Sequence, residues 1–347
     1  MRREPSREPV SWYGLLPAGR LEDNEEWHYR FAVDAYAHNG LRALAKILGQ
    51  IAPDDARRFA RETAAFREKI GRAVFRSMAA APVARLRDGA WIRVIPPRTH
   101  LRGRDYGWIP NILCGAHSLI DGEVIEPDEP AATCILKDLE DNLFMSPASY
   151  FTAEHDWFSR GGIALKPNLV NTPMTYLLRD ELPRVLRPFY NTFAVSYYPD
   201  VHTFTEWTPS FGTGGGPAYK ASDEAPFLTW LRLFLLREAG DVLHIATGAP
   251  RRRFRQGERM ELHGAATFFG QAAFPIQSKV HEGFIEAAIT LAPGSRARRL
   301  ALRLRHPDGR PMARAEGKGR PWTDFDAQSE RVFLPAKAGQ TRVRVWY

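Results

Sequence analysis

The chain has 347 residues, of which 44% are hydrophobic and 25% are charged, as is usual for globular proteins with room for two domains. The formal net charge is +8, but basic runs such as 251–253 and 296–299 are short, and carboxylates are scattered between them. This pattern predicts no nucleic-acid partner and leaves open a weakly basic cleft for an acidic polymer. The two cysteines, Cys114 and Cys134, are too few for a disulfide framework.

Residues 1–9 are charged and lack the apolar core of a signal peptide, and no run is long and apolar enough to span a membrane. We therefore expect a cytoplasmic protein with no membrane partner, although full-length relatives could be exported. The ten histidines lie apart, so no metal site is predicted, and no sequence feature implies a cofactor.

In chain order, residues 1–27 resemble a loop, and apolar residues at helical spacing then predict helices over 27–48 and 56–80. A few residues join the two helices, which predicts an antiparallel hairpin. Apolar and polar residues alternate on both sides of the turn-forming pair Asp88-Gly89, which predicts a β-hairpin over 83–94.

The middle of the chain is predicted to be mainly helical up to about residue 240. The predicted helices cover 106–120, 127–143, a short piece within 159–171, 173–198 with interruptions at Pro183 and Pro188, and 222–239.

Beyond residue 240, short alternating segments are bounded by Gly and Pro, as is typical of a β-sandwich. The predicted strands are 258–263, 276–280, 284–291, 301–305 and 341–346. We therefore predict an α+β multidomain protein, with a helical domain over 1–240 and a β-sandwich domain over 241–347.

The loop predicted over 199–222 contains a carboxylate among aromatic rings: Glu206 adjoins Trp207 and lies near His202. Sugar chemistry uses this combination, because a ring packs on the C–H face of a sugar while a carboxyl group transfers the proton. The neighbouring acids Asp223 and Glu224 are explained by a helix start, where acids are favourable.

Three further clusters of acids and aromatic residues precede predicted helices, which suggests a shared rim around a site. Their candidate residues are Glu22, Asp23 and Glu26 with Trp12 and Trp27; Arg104 and Asp105 with Trp108; and Arg160 in the segment EHDWFSRGG.

Several segments resemble bacterial six-hairpin proteins of the (α/α)-toroid glycoside hydrolase type. The similarity extends from about Trp12 to Arg305 and is carried by GLLPAGRLEDNEEW, AVDAYAHNGLRALAKIL, LKDLEDNLFMSP, EHDWFSRGG, TEWTPSFGTGGGPAYKASDEAPFLTWLR and HGAATFFG. The resemblance implies a toroid of helical hairpins followed by a β-sandwich.

The toroid pattern places a general acid before the sixth helix and a general base before the twelfth. Counting backwards from the helix at Asp223, the resemblance assigns the acid to Asp23, Glu22 or Glu26 and the base to Glu206. It implies inverting hydrolysis of a glycosidic bond. The residues expected to contact the sugar are Trp12, Trp27, Arg104, Asp105, Trp108, Arg160, His202 and Trp207.

By the same count the first five toroid helices are missing, so a partial (α/α)6 ring is expected. Its open side would be covered by a homodimer partner or by a missing N-terminal part. Two alternatives to hydrolysis stay open. One is a polysaccharide lyase for an acidic glycan, with Tyr197 or His202 as the base; the other is a non-catalytic glycan-binding module or truncated remnant.

Overall fold

A computed structural model describes residues 10–21, 24–86, 88–104, 114–142, 172–204, 207–210, 213–215 and 221–347. Its internal contacts divide the chain into two units, Met1–Phe227 and Leu228–Tyr347. Helices and separate sheets are both present, in agreement with the predicted α+β class. The predicted domain boundary near residue 240 stays a prediction.

The N-terminal unit is built from helices joined by small strand pairs. The helices are α1 (Phe31–Leu48), α2 (Pro53–Ala80), α3 (Ser118–Asp121), α4 (Pro130–Asn142), α5 (Thr172–Leu178), α6 (Leu182–Ser196) and α7 (Ala221–Leu235), whose last residues belong to the second unit. The antiparallel strand pairs are β1 (Gly19–Leu21) with β2 (Asn24–His28), β3 (Val83–Arg85) with β4 (Trp91–Arg93), β5 (Tyr197–Tyr198) with β6 (Thr203–Phe204), and β7 (Trp207–Ser210) with β8 (Thr213–Gly215).

The predicted hairpin of α1 and α2 and the predicted pair β3–β4 are both present. Pro53 begins α2, where its missing N–H costs nothing and its fixed φ suits a helix. The loop predicted over 1–27 was wrong in part, because β1 and β2 form a hairpin that continues to His28. Consequently α1 begins at Phe31 instead of residue 27.

Proline positions help to explain where the later helices begin. The helix predicted over 173–198 is split, and Pro183 lies in the first turn of α6, where a proline is tolerated. Part of the helix predicted over 106–120 lies outside the described residues, and the helix described there, α3, begins at Ser118. The piece predicted within 159–171 lies outside the described residues.

The core of the N-terminal unit joins α1, α2, α3 and α4. Phe31, Ile70, Leu119 and Ile135 are its best-buried large side chains, each 2% exposed or less. The residue after α3, Gly122, brings that helix against α1, because its carbonyl accepts a 2.7 Å hydrogen bond from His38 Nδ1.

A side chain at position 122 has no room, since an added Cβ would lie 2.5 Å from the carbonyl oxygen of Ala35. We expect Gly122→Ala to lower the free energy of unfolding by about 1–3 kcal/mol, because the backbone of α1 must shift. Gly40→Ala is the matched control: nothing lies within 4 Å of its Cβ, so a small gain in helix propensity is expected. Urea unfolding of both variants measures the difference, and equal midpoints would contradict the close approach.

The C-terminal unit contains two sheets. The five-stranded sheet has the order β17 (Phe325–Asp326), β18 (Arg331–Pro335), β14 (Arg299–Arg303), β10 (Val242–Ile245), β9 (Leu236–Ala239). The six-stranded sheet has the order β11 (Arg259–Thr267), β12 (Gly270–Lys279), β13 (Phe284–Leu291), β19 (Gly339–Trp346), β15 (Arg314–Gly317), β16 (Arg320–Trp322).

One hydrophobic cluster receives side chains from both sheets. Ile245 and Leu302 from the five-stranded sheet and Phe274, Ile285 and Val345 from the six-stranded sheet are each 1% exposed or less. Alternate residues of β13 are buried, which is the period-two pattern that predicted this strand with its observed bounds. In the described part of the chain, no helix has the length and apolar character needed to cross a membrane.

Candidate functional site

The start of α1 is fixed by a short antiparallel pairing with the segment after β4. The Phe31 amide donates a hydrogen bond to the Pro97 carbonyl at 3.0 Å. On the other side of the pair, the Thr99 amide donates to the Tyr29 carbonyl at 3.1 Å. These bonds flank a bridge between Arg30 and Arg98. In such a non-hydrogen-bonded pair the two side chains leave the same face of the strands at close spacing.

A polar row continues from this pair along β2. Nε2 of His28 lies 2.6 Å from Oε2 of Glu26, and Nη1 of Arg98 lies 3.4 Å from Nδ1 of the same ring. An arginine can only donate, so we assign the ring the tautomer with hydrogen on Nε2, which donates to Glu26. The hydrogen bond with His28 is the largest cause of a lowered pKa at Glu26, and Arg98 and Arg30 add to it. Glu26 is therefore suited to remain ionised and poorly suited to donate a proton.

Aromatic residues lie in and directly after the same strand. Trp12 stacks on Tyr29 with ring centroids 5.5 Å apart, and its ring meets the edge of His100 at 4.6 Å. Trp27, next to Glu26 in β2, is 67% exposed. Trp12 therefore contacts residues on both sides of the Arg30–Arg98 pair, and Trp27 belongs to β2; the predicted sugar-binding roles of both stay predictions.

Arg30 is the buried member of the row, at 3% exposure. Within the described part of the chain, its Nε and Nη2 atoms are buried without a hydrogen-bond partner. It also occupies the N-cap position of α1, where the helix dipole favours a negative group instead. Glu26 attracts the charge of Arg30, but buried guanidinium nitrogens without acceptors are unfavourable, so this arginine requires an explanation beyond stability.

A second polar group lies before the Glu206 loop. The Tyr197 hydroxyl is 2.8 Å from Nδ1 of His202, and the Tyr197 ring stacks on Phe193 at a centroid distance of 4.4 Å. His202 has a left-handed backbone, with φ of 52°. The contacts bring together the two residues considered as a lyase base.

Glu224 connects this group to α7. Its carboxylate accepts hydrogen bonds from the Thr203 hydroxyl at 2.6 Å and from the Phe204 amide at 3.2 Å. Glu224 therefore does more than place a favourable acid in the first turn of a helix: it also binds the preceding strand β6. The bonds fix the chain two residues before Glu206.

Arg104 is held by two acids of α4. Its Nη2 pairs with Asp138 and lies 3.3 Å from Asp141, and its side chain is 15% exposed. Both contacts use the same nitrogen of the guanidinium group. The predicted role of Arg104 in binding sugar hydroxyls stays a prediction.

No family model matches the sequence, and no curated protein matches it. Among solved structures, one described as "Glycoside hydrolase" is similar over 67% of this chain, with a TM-score of 0.33 and 9% sequence identity. This chain covers 45% of that structure, which is less than half its length. The site must therefore be interpreted from its own residues.

Several predicted site residues lie outside the described residues, and β7 is described at Trp207 only for its backbone. The residues outside the described ranges are Glu22, Asp23, Asp105, Trp108, Arg160 and Glu206. Within the described ranges, no group of three or more His, Cys, Asp or Glu side chains is arranged to hold a metal ion.

Sequence reasoning missed Arg30. The signal that was available is its place in the sequence: a basic residue directly precedes a helix, where Ser, Thr, Asp or Asn is preferred. A second missed group is Asp34, a buried carboxyl group of α1 whose pKa is raised to about 7 by burial. It accepts a 2.8 Å hydrogen bond from the Leu16 amide.

Proposed function

We propose that this chain acts on carbohydrate and hydrolyses a glycosidic bond. The observation that carries the proposal is the presence of aromatic rings next to an acid-bearing strand: Trp12 stacks on Tyr29, and the exposed Trp27 follows Glu26 in β2. Rings of this kind offer flat apolar area to the C–H faces of a sugar, while charged neighbours serve its hydroxyl and leaving groups.

In the proposed mechanism, Glu206 is the base that activates water, and Asp23, Glu22 or Glu26 protonates the leaving oxygen. The lowered pKa of Glu26 favours Asp23 or Glu22 for the donor. Inversion requires the two carboxyl groups to be roughly 6.5–9.5 Å apart, so that a water molecule fits between base and sugar. The sugar ligands proposed from the sequence, Arg104 and His202 among them, belong to the same hypothesis.

We further propose the finer architecture, a partial six-hairpin toroid followed by a β-sandwich. The antiparallel α1–α2 pair supports the first element, and the shared core of the five- and six-stranded sheets supports the second. A homodimer partner or a preceding part of the chain would cover the open side of the ring.

The second candidate is a polysaccharide lyase, favoured by the 2.8 Å contact between Tyr197 and His202. In a lyase a base removes the proton next to the carboxylate of a uronic acid. The glycosidic C–O bond then breaks, its electron pair leaves on the oxygen, which is protonated, and a C=C bond remains in the sugar. The net charge of +8 suits such an acidic substrate.

Two variants separate the candidates when a panel of neutral and acidic glycans is tested. For a hydrolase we expect Glu206→Gln to reduce the release of reducing ends by about 10²–10⁴-fold, with Tyr197→Phe much less affected. For a lyase we expect Tyr197→Phe to lose much more activity than Glu206→Gln. The wild-type product then absorbs ultraviolet light, because it is unsaturated. Asp23→Asn and Glu22→Gln then identify the proton donor.

Equal activity of wild type, Glu206→Gln and Tyr197→Phe would contradict both mechanisms. Glycan binding without turnover, unaffected by Glu206→Gln, would support the non-catalytic module instead.

A further inference from the structure

We propose that Arg30 and Arg98 form an anion subsite that binds the carboxylate or sulfate group of an acidic sugar. This inference rests on the proposed function, because it names the chemical class of carbohydrate. The subsite would explain why a buried guanidinium is retained at the start of α1.

The first argument is the pairing of two like charges. Arg30 and Arg98 lie opposite each other across a bridge whose flanking hydrogen bonds are 3.0 and 3.1 Å long. Like charges that face each other across strands repel, and the repulsion is stronger where burial excludes water. An anion between or beside the two guanidinium groups converts this repulsion into two attractions.

The second argument is the distribution of partners. Glu26 balances the half-buried Arg98 through His28, in a row of contacts of 2.6 and 3.4 Å. Glu26 also attracts Arg30, but this single carboxylate faces two guanidinium groups. In the described ranges, Nε and Nη2 of Arg30 have no hydrogen-bond acceptor. A guanidinium presents parallel N–H donors, the geometry that matches both oxygens of a carboxylate or two oxygens of a sulfate.

The third argument is location. The residues beside the two arginines in the paired segments are Tyr29 and Thr99, and the Tyr29 ring stacks on Trp12. The pair also lies at the N-terminus of α1, an 18-residue helix whose dipole favours an anion there. The dipole of α1 therefore adds to the attraction that the two guanidinium groups exert on an anion.

The test uses the full chain and four probes: sodium glucuronate, glucose 6-sulfate, glucose and sodium sulfate, compared at equal ionic strength. Binding is measured by calorimetry and by the shift of the thermal midpoint. We expect wild type to bind glucuronate or glucose 6-sulfate more tightly than glucose, and Arg30→Met to weaken that binding by about tenfold or more. The unliganded Arg30→Met protein should melt no lower than wild type, because Nε and Nη2 of the lost guanidinium are buried and have no hydrogen-bond acceptor among the described residues.

Arg42→Gln is the matched control, since Arg42 lies within α1 but is exposed and paired with Glu123. It should leave binding unchanged. If Arg30→Met does not fold, Arg98→Gln provides the second variant, with weakened binding of the acidic sugars expected.

Unchanged binding of the acidic sugars by Arg30→Met, or by Arg98→Gln, would overturn the subsite. Preferential binding of glucose would also overturn it while leaving the carbohydrate function intact. Binding of sulfate with none of the sugars would instead reject the sugar assignment together with the proposed function.

Discussion

Replacing Glu330 with alanine is expected to lower the free energy of unfolding of the C-terminal unit by about 3–5 kcal/mol. Glu330 is 6% exposed and accepts a 2.6 Å hydrogen bond from Arg251. Its second oxygen lies 3.5 Å from Arg305 and 4.0 Å from Arg303, whose side chains are 4% and 7% exposed. The substitution removes the carboxylate that faces both buried cations, and that loss costs far more than an exposed ion pair does.

Asp324→Asn is the control, because Asp324 is 54% exposed and pairs with Arg299 of β14 through two contacts of 3.0 Å. An exposed pair contributes little, so a loss below about 1 kcal/mol is expected. Urea unfolding gives the energies, and hydrogen exchange over residues 228–347 assigns the effect to the C-terminal unit. If Glu330→Ala lost no more stability than Asp324→Asn, the buried network would not hold this unit together.

The elements that could be predicted from the sequence are those with a strong local period. β13 was predicted with its observed bounds, because its apolar residues recur at every second position. α2 was predicted to within a few residues, because its apolar residues recur every three to four positions. The strands β9 and β10 were missed. The run LRLFLL continues directly from α7 into β9, and only the pairing of β9 with β10 decides that the chain changes conformation there.

The candidate site was predictable in part. Dense acids and aromatic residues pointed to the segment from Trp12 to Trp27, in which Trp12 contacts Tyr29 and His100; its role in sugar binding stays a prediction. The place of Arg30 before a helix was visible in the sequence, but its pairing with Arg98 could not be predicted, because the two residues are distant in sequence. Burial of Asp34 is likewise a tertiary property, because a carboxyl group on an isolated helix would be solvated.

Asp34→Asn is expected to make the protein more stable than wild type at pH 8 and equally stable near pH 4. Asp34 is 1% exposed, and burial raises its pKa to about 7 from an ordinary value of 3.8. The folded state therefore retains a proton that the unfolded chain releases between these two values. Stability of wild type falls as pH rises through that window, by about 4 kcal/mol for this one group.

Asparagine stays neutral at every pH and still accepts the 2.8 Å hydrogen bond from the Leu16 amide. The difference between the two proteins should thus grow from near zero at pH 4 to its full size above pH 7, while other titrating groups cancel. Asp34→Ala separates charge from hydrogen bonding: it loses the acceptor and should be about 1 kcal/mol less stable than Asp34→Asn throughout. Urea midpoints at four pH values measure all three proteins, and parallel curves for wild type and Asp34→Asn would show that Asp34 is ionised in the folded protein at neutral pH.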